Sequence, residues 1–498
     1  MLCCAACADD TPGPVGTFPG LVAVSTSAPW SSSCAGPAGN SGHVFRNAEV
    51  EPAVAIDPGD PNHLIGVWQQ DRWSNGGANG TSSAASFDGG HTWTLSNARF
   101  THCTGGSFQR ASDPWVSISP DGTAYQIAFG FDQDQVNRAM LVSRSLDGGR
   151  TWQAPVTLQH DTDPDFAMDK ETLTADPLDS AFAYAVWDRL TGATNPASAQ
   201  NTGPTWFART TDHGATWEPA KSIYDPGADA QTISNQIAVL PDGTLVNLLV
   251  VITQNSTPNP HAIVAVIRSS DHGMTWSPSP VTIAEAQFLG VGDFKSQHGI
   301  RTGSVVPAIA VDRQGGALYV VWEDARFSGF QRDGVAISRS VDGGLTWSAP
   351  AQVNGASSPA FTPSVAVAQG GKVGVSYYDL RNDVAADNTR FLVTRWLATS
   401  ADGGKTFSEA MIGAPFNIQL APVVDGPAWF VGDYQGLVAA GTAFLPFFVA
   451  VPDGGDANVY FQPADAASKA SAFTVAARSA QQIWRGARER WRFGTLFK

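Results

Sequence analysis

One octapeptide constrains this chain more than anything else in it. "SFDGGHTW" (86–93), "SLDGGRTW" (145–152), "TTDHGATW" (210–217), "SSDHGMTW" (269–276), "SVDGGLTW" (340–347) and "SADGGKTF" (400–407) are near copies of one polar turn closed by an aromatic residue. The Asp accepts hydrogen bonds from turn N–H groups, Gly permits φ > 0, and the aromatic ring packs. A chain that repeats such a turn six times is built from one repeated supersecondary unit.

Each turn lies downstream of a short apolar strand: "EPAVAID" (51–57), "DPWVSIS" (113–119), "ETLTAD" (171–176), "NQIAVL" (235–240), "VPAIAVD" (306–312) and "TPSVAVA" (362–368). A seventh, "WFVGDYQGLVAA" (429–440), has no polar turn after it. Starts are 56 to 71 residues apart. A second strand follows each first, a third leads into the turn, and the aromatic residue opens a fourth. Four strands per repeat predict an all-β, seven-bladed β-propeller. "LVAVSTS" (21–27) is expected to complete the last blade. With 50 Gly, 32 Pro and only 15% charged residues, the composition suits a turn-rich β protein. The expected division is a residual export or lipoprotein signal and linker at 1–19, the propeller at 20–463 and a basic tail at 464–498. The tail holds seven Lys/Arg against two Asp/Glu, and Trp484, Ala487 and Trp491 share one face at helical spacing.

Strand alternation places strand-one starts and the loops after strand two at one mouth of the channel, and the polar turns at the other. That first mouth collects Arg72, Arg110, Arg189, Arg301, Arg326 and Arg381 in a chain with only 30 Lys+Arg. The guanidinium fork suits carboxylate or sulfate, so the set predicts an anion-reading pocket. The alternative is that each Asp/Arg couple, as in "WDR", "WEDAR" and "YYDLR", is a salt bridge that locks its blade.

The polar turns resemble the Asp-box, S-x-D-x-G-x-T-W, of the sialidase-like superfamily, over roughly residues 50–463. The resemblance implies an exported glycoside hydrolase, exo-sialidase-like, acting on a terminal, acidic sugar. Tyr434, in "GDYQGL", is similar to the last-blade tyrosine of sialidases and is the expected nucleophile. A neutral Tyr avoids the repulsion that a carboxylate nucleophile meets from a sugar carboxylate. Glu171 or Glu51 is its expected base, with Glu171 paired to Arg189, and Asp71 or Asp113 the acid. Sialidases open with F-R-I-P; here "VFR" stands at 44–46 and Val50 occupies the aligned position. Two other classes stay open: a polysaccharide lyase on uronic-acid polymers and a non-catalytic glycan- or protein-binding propeller.

Net charge −15 and pI near 4.9 disfavour nucleic acid and anionic membranes as partners. The expected partner is an anionic carbohydrate, and the expected state a monomer, secreted or at the cell surface. Membrane contact is expected only through a lipid anchor, since Cys7 after "CAA" resembles a lipoprotein processing site with Cys4 where Leu is usual. Cys34 and Cys103 form either a disulfide or two separate thiols. No cofactor is required. Asp161, Asp163 and Asp165 could offer oxygens to calcium, although their spacing matches no full EF-hand loop.

Overall fold

The computed structural model describes residues 16–467 except 17, 26, 32, 35–41, 135, 193–201, 255, 258–259, 293–297, 385–386, 388 and 425–426. Antiparallel four-stranded units follow one another along the chain, the first two and the next two hydrogen-bonded into sheets of eight and nine strands. The first is Val44–Ile56, Leu64–Trp73, Ala78–Ser86 and Thr94–Ser96. The next five begin with Arg110–Ile118, Phe166–Ala175, Ala230–Val239, Ala308–Val311 and Ala360–Ala368. The seventh runs Gly436–Ala440, Ala443–Ala450 and Asn458–Phe461 and is completed by the N-terminal strand Val22–Ala23, with Val22 opposite Phe461. Each first strand lies against the first strands of its two neighbours. Gly436–Ala440 touches both Ala360–Ala368 and Val44–Ile56, so the ring closes.

The sheets pack face to face through apolar second strands, in which Trp68, Trp187 and Trp322 are fully buried. All six polar turns have one geometry. In the first, Asp88 accepts from Thr92 N (2.9 Å) and Thr92 Oγ1 (2.6 Å), while Ser86 Oγ accepts from Gly90 N (2.9 Å). These bonds hold the Asp88 carboxyl down at about 2. His213 and His272 stand at φ 58° and 54° where the other turns carry Gly. The second glycine seats each turn on a neighbouring sheet: a Cβ on Gly273 (φ 81°) would come 2.4 Å from Phe207 Cζ. The turns sit at the end of the ring where first strands hand over to second ones. Gly89 N donates to Asn62 O (3.0 Å), and His63 Nε2 lies 3.0 Å from Gly148 O.

Three expectations are refined. The last first strand begins at Gly436, because Ala428–Phe430 joins an additional sheet with Val291–Gly292, Gly299–Arg301 and Val423–Val424. Tyr434 therefore lies in the link between two sheets. Cys34 and Cys103 form a disulfide that ties the N-terminal segment to the first sheet. Of the tail, only Ala464–Ala467 is described, as a single helical turn; Trp484, Ala487, Trp491, Cys4 and Cys7 lie outside the described residues. No helix among the described residues is long and apolar enough to cross a membrane.

Candidate functional site

Five of the seven first strands break register at the same height, between Val50/Ala53, Ser112/Trp115, Asp169/Thr172, Ile233/Gln236 and Phe361/Ser364. Each bulge puts a non-glycine residue in the left-handed region: Glu51 (54°), Asp113 (50°), Lys170 (50°), Ser234 (65°) and Thr362 (48°). Glu51, Asp113 and Thr362 precede proline, which itself disfavours helical backbone angles. Such strain costs about 1–3 kcal/mol per residue and persists only where the surroundings enforce it. Here it turns side chains of three neighbouring sheets toward one point.

That point is the Lys170 ammonium. It lies 2.5 Å from Asp113 Oδ1, 2.9 Å from Asp433 Oδ2, 3.5 Å from Glu51 Oε1 and 3.8 Å from Asp169 Oδ1. Arg301, from the additional sheet, forks onto Asp433, with Nε at 2.8 Å from Oδ1. Gln69 Nε2 donates to Glu51, and Arg72 Nη1 donates to Gln69 Oε1 at 2.9 Å. Tyr434 sits beside the cluster; its hydroxyl donates to Pro114 O (3.0 Å) and its ring meets Trp115 edge-on at 5.4 Å. Glu171 is 2% exposed, and neither carboxyl oxygen has a hydrogen-bond partner in another residue.

Five carboxyls (Glu51, Asp113, Asp169, Glu171, Asp433) thus face three cations (Lys170, Arg301, Arg72), and full ionisation would leave two negative charges in a low-dielectric site. Burial, then the charge of Asp113, pushes Glu51 up to about 8. Burial raises Asp169 to about 7, against the pull of Lys170, and lifts Glu171 well above the carboxylate range. Burial would raise Asp433 too, but Arg301 and Lys170 outweigh it and hold it far below. Burial and the surrounding carboxylates push the Tyr434 phenol well above its usual value, so it is neutral at rest.

Lys170, Glu171 and Tyr434 form one end of a cavity of 620 Å³ that runs down the middle of the ring to Asp57, Pro177 and Arg313. On the other side of Lys170, a 60 Å³ recess touches Glu51, Arg72, Asp113, Asp169 and Arg301. It has room for roughly two waters.

The structure brings together Glu51, Asp113, Glu171, Tyr434, Arg72 and Arg301, and leaves the other expected residues apart. Asp71 is fully buried and accepts from Arg46, Trp30 Nε1 (2.9 Å), Asn47 N (2.8 Å) and Asn79 Nδ2 (3.0 Å), lining neither cavity. Arg189 forks onto Asp161 (2.8 and 2.7 Å), not onto Glu171. Arg326 pairs with Asp324 (2.7 and 2.8 Å), and Arg381 with Asp379 and Glu409. Each of these is the blade-locking salt bridge, so three of the six arginines are committed within their own neighbourhood. Arg110 has no carboxylate partner; it donates to Asn75 Oδ1 (2.9 Å) and Gly76 O (3.0 Å) and lies over Trp73. With Asp161 engaged by Arg189 and Asp163 Oδ1 accepting from Asp165 N (2.9 Å), the acidic loop forms no cage, and no metal-holding cluster occurs among the described residues.

Sequence reasoning assigned none of Lys170, Asp169 and Asp433 to the site. "MDKE" (168–171) is a charged run inside an apolar strand, and that was the signal available.

Residues 204–421 match the BNR repeat-like domain family. No curated protein matches the chain. Among solved structures, the chain is similar to a Hadza microbial sialidase (15% identity, TM-score 0.47, covering 81% of this chain and 74% of that one). It is similar to a Penicillium chrysogenum alpha-L-arabinanase complexed with arabinobiose (12%, TM-score 0.42, 71% and 93%). It is similar too to a Trypanosoma rangeli sialidase in complex with the inhibitor DANA (14%, TM-score 0.42, 74% and 59%). The repeat match over 204–421, with the same hydrogen-bonded turn recurring outside it at 86–93 and 145–152, supports a likeness of this chain to the sialidase-like superfamily of BNR-repeat proteins.

Proposed function

We propose that this protein is an exported glycoside hydrolase on a seven-bladed β-propeller, acting on a terminal, acidic sugar bound at the Lys170 end of the central cavity. The observation that carries the reading is the meeting, around Lys170, of Glu171 and Tyr434, which line that end of the cavity, with Glu51 and Asp113, which line the recess beside it. In this reading Tyr434 Oη attacks the anomeric carbon as its proton passes to Glu171 or Glu51. A proton drawn from the Lys170 ammonium through Asp113 Oδ1, 2.5 Å away, goes to the leaving oxygen as the glycosidic C–O bond breaks; water then cleaves the glycosyl–tyrosine bond, its proton returning by the same route and the tyrosine recovering its own from the glutamate. Asp71 drops out, because four protein donors occupy it. A base whose proton affinity burial has raised ionises only as pH climbs, so turnover should increase with pH across the range of about 6–8 where such groups titrate. The acidic-sugar preference rests on Arg72, which lines the recess beside Lys170 and whose Nη1 donates to Gln69 and Gly77 rather than to a carboxylate. The Cys34–Cys103 disulfide supports export to an oxidising compartment.

A second reading, a non-catalytic glycan- or protein-binding propeller, is favoured by the salt bridges of Arg189, Arg326 and Arg381, which leave no open ring of arginines. A panel of acidic and neutral glycans separates the two. New reducing ends support the hydrolase, absorbance from an unsaturated sugar supports a lyase, and saturable binding without product supports the binder.

A further inference from the structure

The 620 Å³ cavity is polar at its ends and apolar between them. Val54, Ile56, Val306, Val367 and Val438 line it and are only half-buried, so a ligand can reach them. Three polar residues on the same wall are already engaged by backbone. Thr174 Oγ1 donates to Ile237 O (2.9 Å), Gln236 Oε1 accepts from Ile309 N (3.1 Å), and Ser117 Oγ accepts from Ala175 N (3.0 Å). More of the wall therefore rewards apolar surface than rewards a sugar hydroxyl. The volume falls within the range of about 300–1,000 Å³ that holds a drug-sized molecule. At the inner end, Glu171 is buried with both carboxyl oxygens free of other residues, an unpartnered polar group aimed into the cavity.

We infer that the cavity takes the apolar part of an amphipathic glycoside, an alkyl or aryl aglycone. It would extend from the Glu171 end toward the mouth at Asp57, Pro58, Pro177 and Gly441. The placement of the sugar rests on the hydrolase reading; the apolar site rests on the wall alone.

The probe is N-phenyl-1-naphthylamine, a neutral aryl fluorophore that brightens in apolar surroundings. Wild-type protein should bind it saturably. n-Octyl β-D-glucoside should displace it and free glucose should not. Val54→Trp and Val367→Trp, on two different sheets, fill the cavity and should each weaken binding roughly tenfold or more, the equivalent of one buried apolar group. Near-UV circular dichroism confirms folding, and two sites keep the test open if one variant misfolds. Absence of saturable binding to wild type overturns the inference. So does unchanged affinity in a folded cavity-filling variant, or failure of the octyl glycoside to compete. If the probe behaves as expected and no alkyl or aryl glycoside is cleaved, the aglycone site stands and the hydrolase reading falls.

Discussion

Lys170 Nζ lies 2.5 Å from Asp113 Oδ1, and both residues hold left-handed backbone at bulges of adjacent first strands. The pair joins the second and third sheets at the axis of the ring, where Glu51 closes in from the first sheet and Asp433 from the link that leads into the seventh. One buried ammonium thus meets acidic groups from three other parts of the chain. Replacing it by Met leaves Asp113 and Asp433 buried without that partner. Lys170→Met should therefore cost about 3–5 kcal/mol, the usual result of breaking a buried ion pair from one side. Urea unfolding at neutral pH measures it, and a variant as stable as wild type would remove Lys170 from the centre of the fold.

Tyr434→Phe deletes one hydroxyl that donates to Pro114 O and keeps the ring against Trp115. Stability should drop by about 0.5–1.5 kcal/mol for the lost hydrogen bond. On a confirmed substrate, turnover should fall by orders of magnitude. Intact turnover would end the nucleophile assignment and leave a packing role.

The polar turns and the axial cluster should be separable. Asp147 accepts from Thr151 N (2.9 Å) and Thr151 Oγ1 (2.6 Å) at the end of the ring remote from Lys170. Asp147→Ala should lower the melting temperature and leave any catalytic constant unchanged. Gly273→Ala should be worse for stability, by about 1–3 kcal/mol, because its Cβ would press on Phe207 2.4 Å away at φ 81°. Loss of activity in fully folded Asp147→Ala would contradict the division.

Stability should depend on pH in two directions. Glu51 at about 8 and Asp169 at about 7 lie above their unfolded values of about 4, so the folded state keeps protons that the unfolded chain releases. Their contribution is present below about pH 4 and is lost as pH rises through about 7–8. Asp88, Asp212, Asp271 and Asp342, each held at about 2, act the opposite way. Their contribution is present above about pH 4 and is lost as pH falls toward 2. Melting temperature should peak near pH 4–5 in a scan, and Glu51→Gln should flatten the alkaline side. A flat alkaline arm in wild type would show that the cluster is ionised at rest.

Local chemistry repeated along the chain was enough to predict the frame. Asp, Gly and Thr at fixed offsets make the turn whatever surrounds them, as all six copies show, and alternating apolar strands between them dictate sheets that must stack. Even the closure of the last sheet by 21–27 followed, since three strands leave an edge that needs a fourth. The site was legible only in part. Glu51, Asp113, Glu171 and Tyr434 could be assigned to one mouth by counting strands, because strand direction carries that information. The partners of the arginines could not. Arg189 reaches Asp161 rather than Glu171, and Arg301 reaches Asp433 from a sheet assembled out of two insertions more than 120 residues apart. Lys170 owes its place to a one-residue bulge, and a one-residue shift turns a strand side chain to the opposite face. Pairing and protonation in a buried cluster depend on which charges share a low-dielectric space. Only the closed ring brings those charges together.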